Sequence, residues 1–180
     1  MFSAAVTLLI GLTGLPQSAA QGGQTSLEAS WRACASIDSS ISIAGCTAVI
    51  KSHGQSSAHL AVALINRGIA YRNQRAFARA IRDFSLAIHL RPNMAQTYLE
   101  RGIARYALRQ YDLAILDYDA AIRLRPDLAE GWNNRSLAYL KKADFDRATR
   151  DFNQTVRLNK NYGNAMINRS LGPLPVPEQR

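Results

Sequence analysis

Arg67, Arg101, Arg135 and Arg169 lie 34 residues apart, and Asp83, Asp117 and Asp151 recur at the same interval. A guanidinium placed near a seam between packed elements is costly unless its charge and donors are satisfied, so a regular carboxylate partner is expected. Two registers are open. Within a unit the pairs are Arg67–Asp83, Arg101–Asp117 and Arg135–Asp151; between units they are Arg101–Asp83, Arg135–Asp117 and Arg169–Asp151. The second register is favoured here, because it gives the last segment a charged anchor. Charges that merely face water are the plain alternative, and exposed pairs contribute only ~0–1 kcal/mol. On either reading the role is structural, since buried pairs fix register better than they add stability.

Other reactive residue types are sparse. Two cysteines and three histidines leave little material for a metal site. His53, His59 and His89 have no Cys, Asp or Glu neighbours at metal-ligand spacing. No nucleophile elbow, phosphate-binding glycine loop or paired-thiol motif occurs. Asp117 and Asp119 are close in the chain, but on a helix they point apart. No catalytic residue, metal or cofactor is therefore expected, and the chain is not expected to be an enzyme. The formal charge of +9 comes almost wholly from arginine, as lysine stands only at Lys51, Lys141, Lys142 and Lys160. Such a balance favours anionic partners without specifying one.

The period that spaces the charges also spaces the apolar residues. Gly68 and Gly102 are 34 apart; so are Ala80, Ala114 and Ala148, then Phe84, Tyr118 and Phe152, then Pro92 and Pro126. A fixed period of this kind marks stacked supersecondary units. Each unit reads as two helices. In the central one, Tyr98, Leu99, Ile103, Ala104 and Ala107 follow a helical period over 95–108. Arg109-Gln110 breaks it, and a second helix runs over about 111–124 until Arg125-Pro126-Asp127 stops it. Gly102, Ala114 and Ala121 leave room where the helices meet, and Tyr118 fills that room.

Tyr98, Gly102, Ala114, Tyr118, Ala121 and Pro126 fill the places of the tetratricopeptide repeat (TPR) pattern, which the sequence resembles over about 61–162. Leu64, Gly68, Tyr71, Ala80, Phe84, Ala87 and Pro92 do so one unit earlier; Trp132, Ser136, Tyr139, Ala148 and Phe152 do so one unit later. The last unit departs at Thr155 and Lys160, where Ala and Pro are expected, so its second helix should pack less closely. The resemblance implies an all-α, TPR-type helical hairpin solenoid. Its parts are a degenerate helix pair at 25–57, a TPR domain at 58–172 and an extended tail at 173–180. Repeats fall at about 61–94, 95–128 and 129–162, and a capping helix at 163–171 covers the last apolar side.

In that family the first helices line a concave groove. Carried over, the lining is Ile65, Ile69 and Arg72, then Gln96, Leu99, Ile103 and Tyr106, then Glu130, Asn133, Leu137, Leu140 and Lys141, with Ile167 and Leu171 extending the row. The groove is mainly apolar and should hold a protein or peptide. The family's carboxylate clamp is not carried over, because Ile65, Ile69, Glu100 and Glu130 stand where its members would be. Asn66, Asn134 and Asn168 could bond a peptide backbone, although a solvated helix edge is the preferred reading. Arg79, Arg82, Arg123, Arg147, Arg150 and Arg157 fall on outward second-helix positions. Through them, attachment to an anionic envelope component or nucleic acid is the alternative function, with nucleic acid disfavoured. No small-molecule substrate is expected.

Residues 1–20 read as an export signal, with an apolar core at 4–15 and small residues Ser18-Ala19-Ala20 before Gln21. No Lys or Arg precedes that core, which departs from the pattern. Export implies a periplasmic or secreted protein. Over 27–52, Cys34 and Cys46 flank the turn signal Asp38-Ser39-Ser40 almost symmetrically. In an oxidising compartment they should pair; otherwise they are two buried thiols. The W-x-x-C and G-C-T-A-V-I segments ahead of the repeats also resemble exported TPR proteins of alphaproteobacteria.

Overall fold

A computed structural model of the chain describes residues 17–159. Eight helices follow one another there: α1 (Gln17–Cys34), α2 (Ser39–Lys51), α3 (Ser57–Asn73), α4 (Phe77–Leu90), α5 (Ala95–Ala107), α6 (Tyr111–Leu124), α7 (Ala129–Lys141) and α8 (Phe145–Leu158). No strand occurs among the described residues. The helices pair as hairpins α1/α2, α3/α4, α5/α6 and α7/α8, and each hairpin packs on the next. The first helices α1, α3, α5 and α7 also touch in succession, whereas among the described residues no second helix approaches the next. The stack therefore bends: first helices line its inner side and second helices fan apart outside.

The hairpins close around small residues. A Cβ on Gly68 would lie 2.6 Å from the Phe84 ring, and one on Gly102 would lie 2.5 Å from the Tyr118 ring. Both rings are buried as a result, which a side chain on the facing helix would prevent. In the last hairpin Ser136 replaces that glycine, and Phe152 is only half-buried. Thr155 is fully buried where alanine was expected, and its hydroxyl donates to the Asp151 carbonyl at 3.0 Å.

Inside each repeat the turn is made by a residue in the left-handed region: Arg75 and Arg109 at φ 60° and Ala143 at φ 57°. Around Arg109, its N–H reaches the Tyr106 carbonyl at 2.9 Å while Gln110 N–H reaches that of Arg105 at 3.0 Å. The same bonds recur around Arg75 and Ala143. This is the closing pattern that satisfies the last carbonyls of a helix, normally with glycine at the turn.

The N-terminal pair is built by different means. Asp38 caps α2 by accepting from Ser40 N–H at 2.8 Å and Ile41 N–H at 3.0 Å. A disulfide joins Cys34 to Cys46 with their Cα atoms 4.4 Å apart. Gly45 permits that approach, because a Cβ there would lie 2.5 Å from the Cys34 backbone nitrogen. Helix α1 begins at Gln17, ahead of the expected start at 25, so Gln17–Ala20 of the expected leader lie within it. The rest of the leader, the expected cap at 163–171 with Ile167, Arg169 and Leu171, and the tail lie outside the described residues.

Candidate functional site: the inner groove and its ion-pair frame

The arginine ladder holds the hairpins in register, and it does so within each repeat. Arg67 Nε and Nη2 donate to Asp83 at 2.7 and 2.8 Å, and Arg135 donates to Asp151 with the same two nitrogens and distances. Arg101 reaches Asp117 through Nη2 at 2.7 Å and Nε at 3.0 Å. This corrects the favoured inter-repeat register. The two helices of one hairpin lie closest, so the planar fork meets the carboxylate of its own repeat first.

Coupling between repeats survives through the remaining nitrogen. Nη1 of Arg67, Arg101 and Arg135 reaches back to Thr47 Oγ1 at 3.1 Å, Ser85 Oγ at 3.1 Å and Asp119 Oδ1 at 2.6 Å. Asp119 and Asp117 thus serve different arginines, as their opposite directions on α6 require. Hydrogen bonding to Asp83 holds the Arg67 guanidinium above its usual pKa. Burial lowers that of Arg135, but the bonds to Asp151 and Asp119 outweigh it and the net direction is up. Arg105 adds a second ion pair to Asp117 at 2.8 Å, and burial is the main cause that lowers its pKa.

On the inner side, Ile65, Ile69 and Arg72 of α3, Ile103 and Tyr106 of α5, and Leu137 and Leu140 of α7 are half-buried, while Gln96 and Lys141 are exposed. Two expected lining residues are not there. Leu99 is 0% exposed and Asn133 2%, so neither offers its side chain to an occupant. Leu99 joins the core with Ala114, Tyr118 and Tyr139, and Leu140 packs over it.

Between α3 and α5 a feature appears that the repeat pattern does not announce. Glu100 is buried, with Oε2 3.3 Å from Arg72 Nε, and Gln96 Nε2 donates to its Oε1 at 3.4 Å. Arg125 from the next loop holds Gln96 Oε1 at 3.1 Å. Burial raises the Glu100 pKa against the attraction of Arg72. Glu100 shares its repeat position with Asn66 and Asn134, and only the tertiary meeting with Arg72 explains its charge.

Near the disulfide the groove widens into a cavity of about 780 Å³, lined by Cys34, Ile37, Ser42, Asn66, Ile69 and Asn73 among others. Ile37, in the turn between α1 and α2, is fully exposed at this cavity. Asn66 Nδ2 points to Cys34 Sγ at 3.8 Å. The N-terminal pair therefore contributes a wall to the groove, which the repeat resemblance, beginning at about 61, does not reach. Among the described residues no helix is long and apolar enough to cross a membrane, and no group of side chains could hold a metal ion.

Residues 104–142 match a family model described as TPR repeat, and residues 129–162 match one described as tetratricopeptide repeat. Among solved structures, a crystal structure of MamA superposes with a TM-score of 0.67 at 20% identity, covering 78% of this chain and 80% of that one. The first TPR of Spaghetti (RPAP3), bound to the HSP90 peptide SRMEEVD, gives 0.57 at 19% identity, covering 61% and 88%. The Arabidopsis OM64 TPR domain gives 0.59 at 16% identity, covering 64% and 100%. No curated protein matches the sequence significantly. At these identities the likeness is one of fold: the chain folds as a TPR-type helical solenoid, and residues 104–162 match the repeat models themselves.

Proposed function

We propose that the chain is a non-enzymatic adaptor that holds a segment of a partner protein against α3, α5 and α7. The observation that carries this reading is the row of half-buried Ile65, Ile69, Ile103, Leu137 and Leu140 along successive first helices. Apolar surface gathered on one side, where the helices converge, is the usual mark of a contact site. A repeat stack supplies such a surface without preorganised catalytic groups. The peptide-bound TPR of RPAP3 supports the same use of the fold.

The segment held here is not an acidic C-terminus on this reading. Ile65 and Ile69 bring no charge, and Glu100 is buried against Arg72. An apolar or amphipathic segment fits instead, with its apolar residues on the isoleucine and leucine row. Localisation outside the cytoplasm, in the periplasm or secreted, belongs to the same proposal and is consistent with the disulfide. The test is a photoreactive residue at position 103, with crosslinked partners identified by mass spectrometry. A partner captured at 103 and lost in Ile69→Glu or Leu137→Glu is the expected result. Capture from position 150 but none from 103 would reverse the assignment of faces.

A further inference from the structure

Because the second helices fan apart, a cleft of about 640 Å³ opens between α6 and α8 above α7. Its floor is the Arg135 guanidinium, 4.8 Å from the Trp132 ring centroid and held by Asp119 and Asp151. Those bonds occupy Arg135. Arg123 on α6 and Arg150 on α8 line the two walls; both are exposed. Among the described residues neither has an ion pair or side-chain hydrogen bond. Arg147, also on α8, pairs with Asp144 and stacks on Tyr139 at 4.6 Å. With Asp144, which pairs with Arg147 and also feels the charge of Arg150, four arginines face three aspartates, and the lining stays cationic.

The concentration of charge belongs to this junction and not to the period. One repeat earlier, His89, Leu113 and Leu116 stand where Arg123, Arg147 and Arg150 stand here. We propose that the cleft binds a phosphoryl group carried by a larger ligand. A phosphoryl dianion carries twice the charge of a carboxylate and spreads it over more acceptor oxygens in three dimensions, so it can take a fork from each wall at once. The cleft is larger than a single phosphate, which leaves room for the ligand's body. This site lies on the outer side of the stack and does not depend on the groove.

The experiment titrates the full, disulfide-bonded chain with inorganic pyrophosphate by calorimetry, with malonate as the carboxylate comparison. Parallel runs use phosphatidylcholine vesicles with and without phosphatidic acid. Saturable pyrophosphate binding should weaken about tenfold or more in Arg123→Gln/Arg150→Gln, as expected for losing two charge-assisted forks. It should be nearly unchanged in Arg79→Gln/Arg82→Gln, with circular dichroism identical throughout. Vesicle binding displaced by pyrophosphate would assign a lipid headgroup. Pyrophosphate binding without vesicle binding would assign a soluble phosphate ester, and both outcomes support the site. Absence of saturable pyrophosphate binding, equal loss in the Arg79/Arg82 variant, or equally tight malonate binding would overturn it.

Discussion

Asp117 accepts from both Arg101 and Arg105, and its side chain is 3% exposed, while Asp119 on the same helix is 38% exposed and accepts from Arg135 alone. The two aspartates should therefore differ sharply when neutralised. Asp117→Asn leaves two guanidiniums largely buried without their counter-charge, at a cost of about 3 kcal/mol or more. Asp119→Asn removes a half-exposed partner and should cost no more than ~1 kcal/mol. Urea unfolding of both variants checks the ranking, and equal losses would mean that burial does not set the strength of the ladder. Glu100 makes a different prediction. Its folded pKa is raised above the ordinary 4.5, so the native state binds more protons than the unfolded chain just above that value. Stability from this group is present at lower pH and is lost as pH rises through its folded pKa. Glu100→Gln should therefore gain on the wild type as pH increases upward from about 4.5, read from paired denaturation curves. A difference that does not change with pH would refute the raised pKa.

At the scale of the helix pair, glycine and a ring form one unit. Gly102→Ala places a methyl 2.5 Å from Tyr118, which is 1% exposed and has little room to move. The expected cost is about 1–3 kcal/mol, as for overpacking generally. Combining it with Tyr118→Leu should give less loss than the two single changes added together, because the substituted residues are in contact. Simple additivity in that cycle would count against the proposed clash. The tight turns at Arg75, Arg109 and Ala143 repeat the period in backbone geometry alone, since no glycine marks them. The break at Arg109-Gln110 was legible in the sequence, but its left-handed backbone was not, because glycine is the residue that usually signals it. Propensity reasoning did locate α5 and α6, because their apolar period and the following proline agree.

The molecule as a whole is held by neighbour-to-neighbour contacts, so loss at one end need not reach the other. Cys34→Ser/Cys46→Ser removes a constraint of about 3 kcal/mol on the chain-entropy scale. Amide exchange should accelerate in α1 and α2 and at the groove wall near Ile37, while α5 and α6 keep their protection. Uniform acceleration along the chain would instead show that the stack unfolds as a single cooperative unit. The same bend that brings the first helices together opens the outer cleft between α6 and α8. One curvature thus produces the covered Leu99, the half-buried isoleucine row and the exposed arginine walls.

The sequence alone determined the period, the helix pairs and the residue types of the ladder, because each depends on spacing along one chain or one helix. It also identified Cys34 and Cys46 as opposite members of a hairpin. Tertiary structure decided which carboxylate each arginine takes, since both registers have identical spacing and only inter-helix distance separates them. It also decided that Leu99 and Asn133 are covered while Ile103 and Leu137 are half-buried, and that Glu100 meets Arg72. These are matters of how far apart neighbouring helices stand, and a repeat of 34 residues is the same whether the stack is straight or bent.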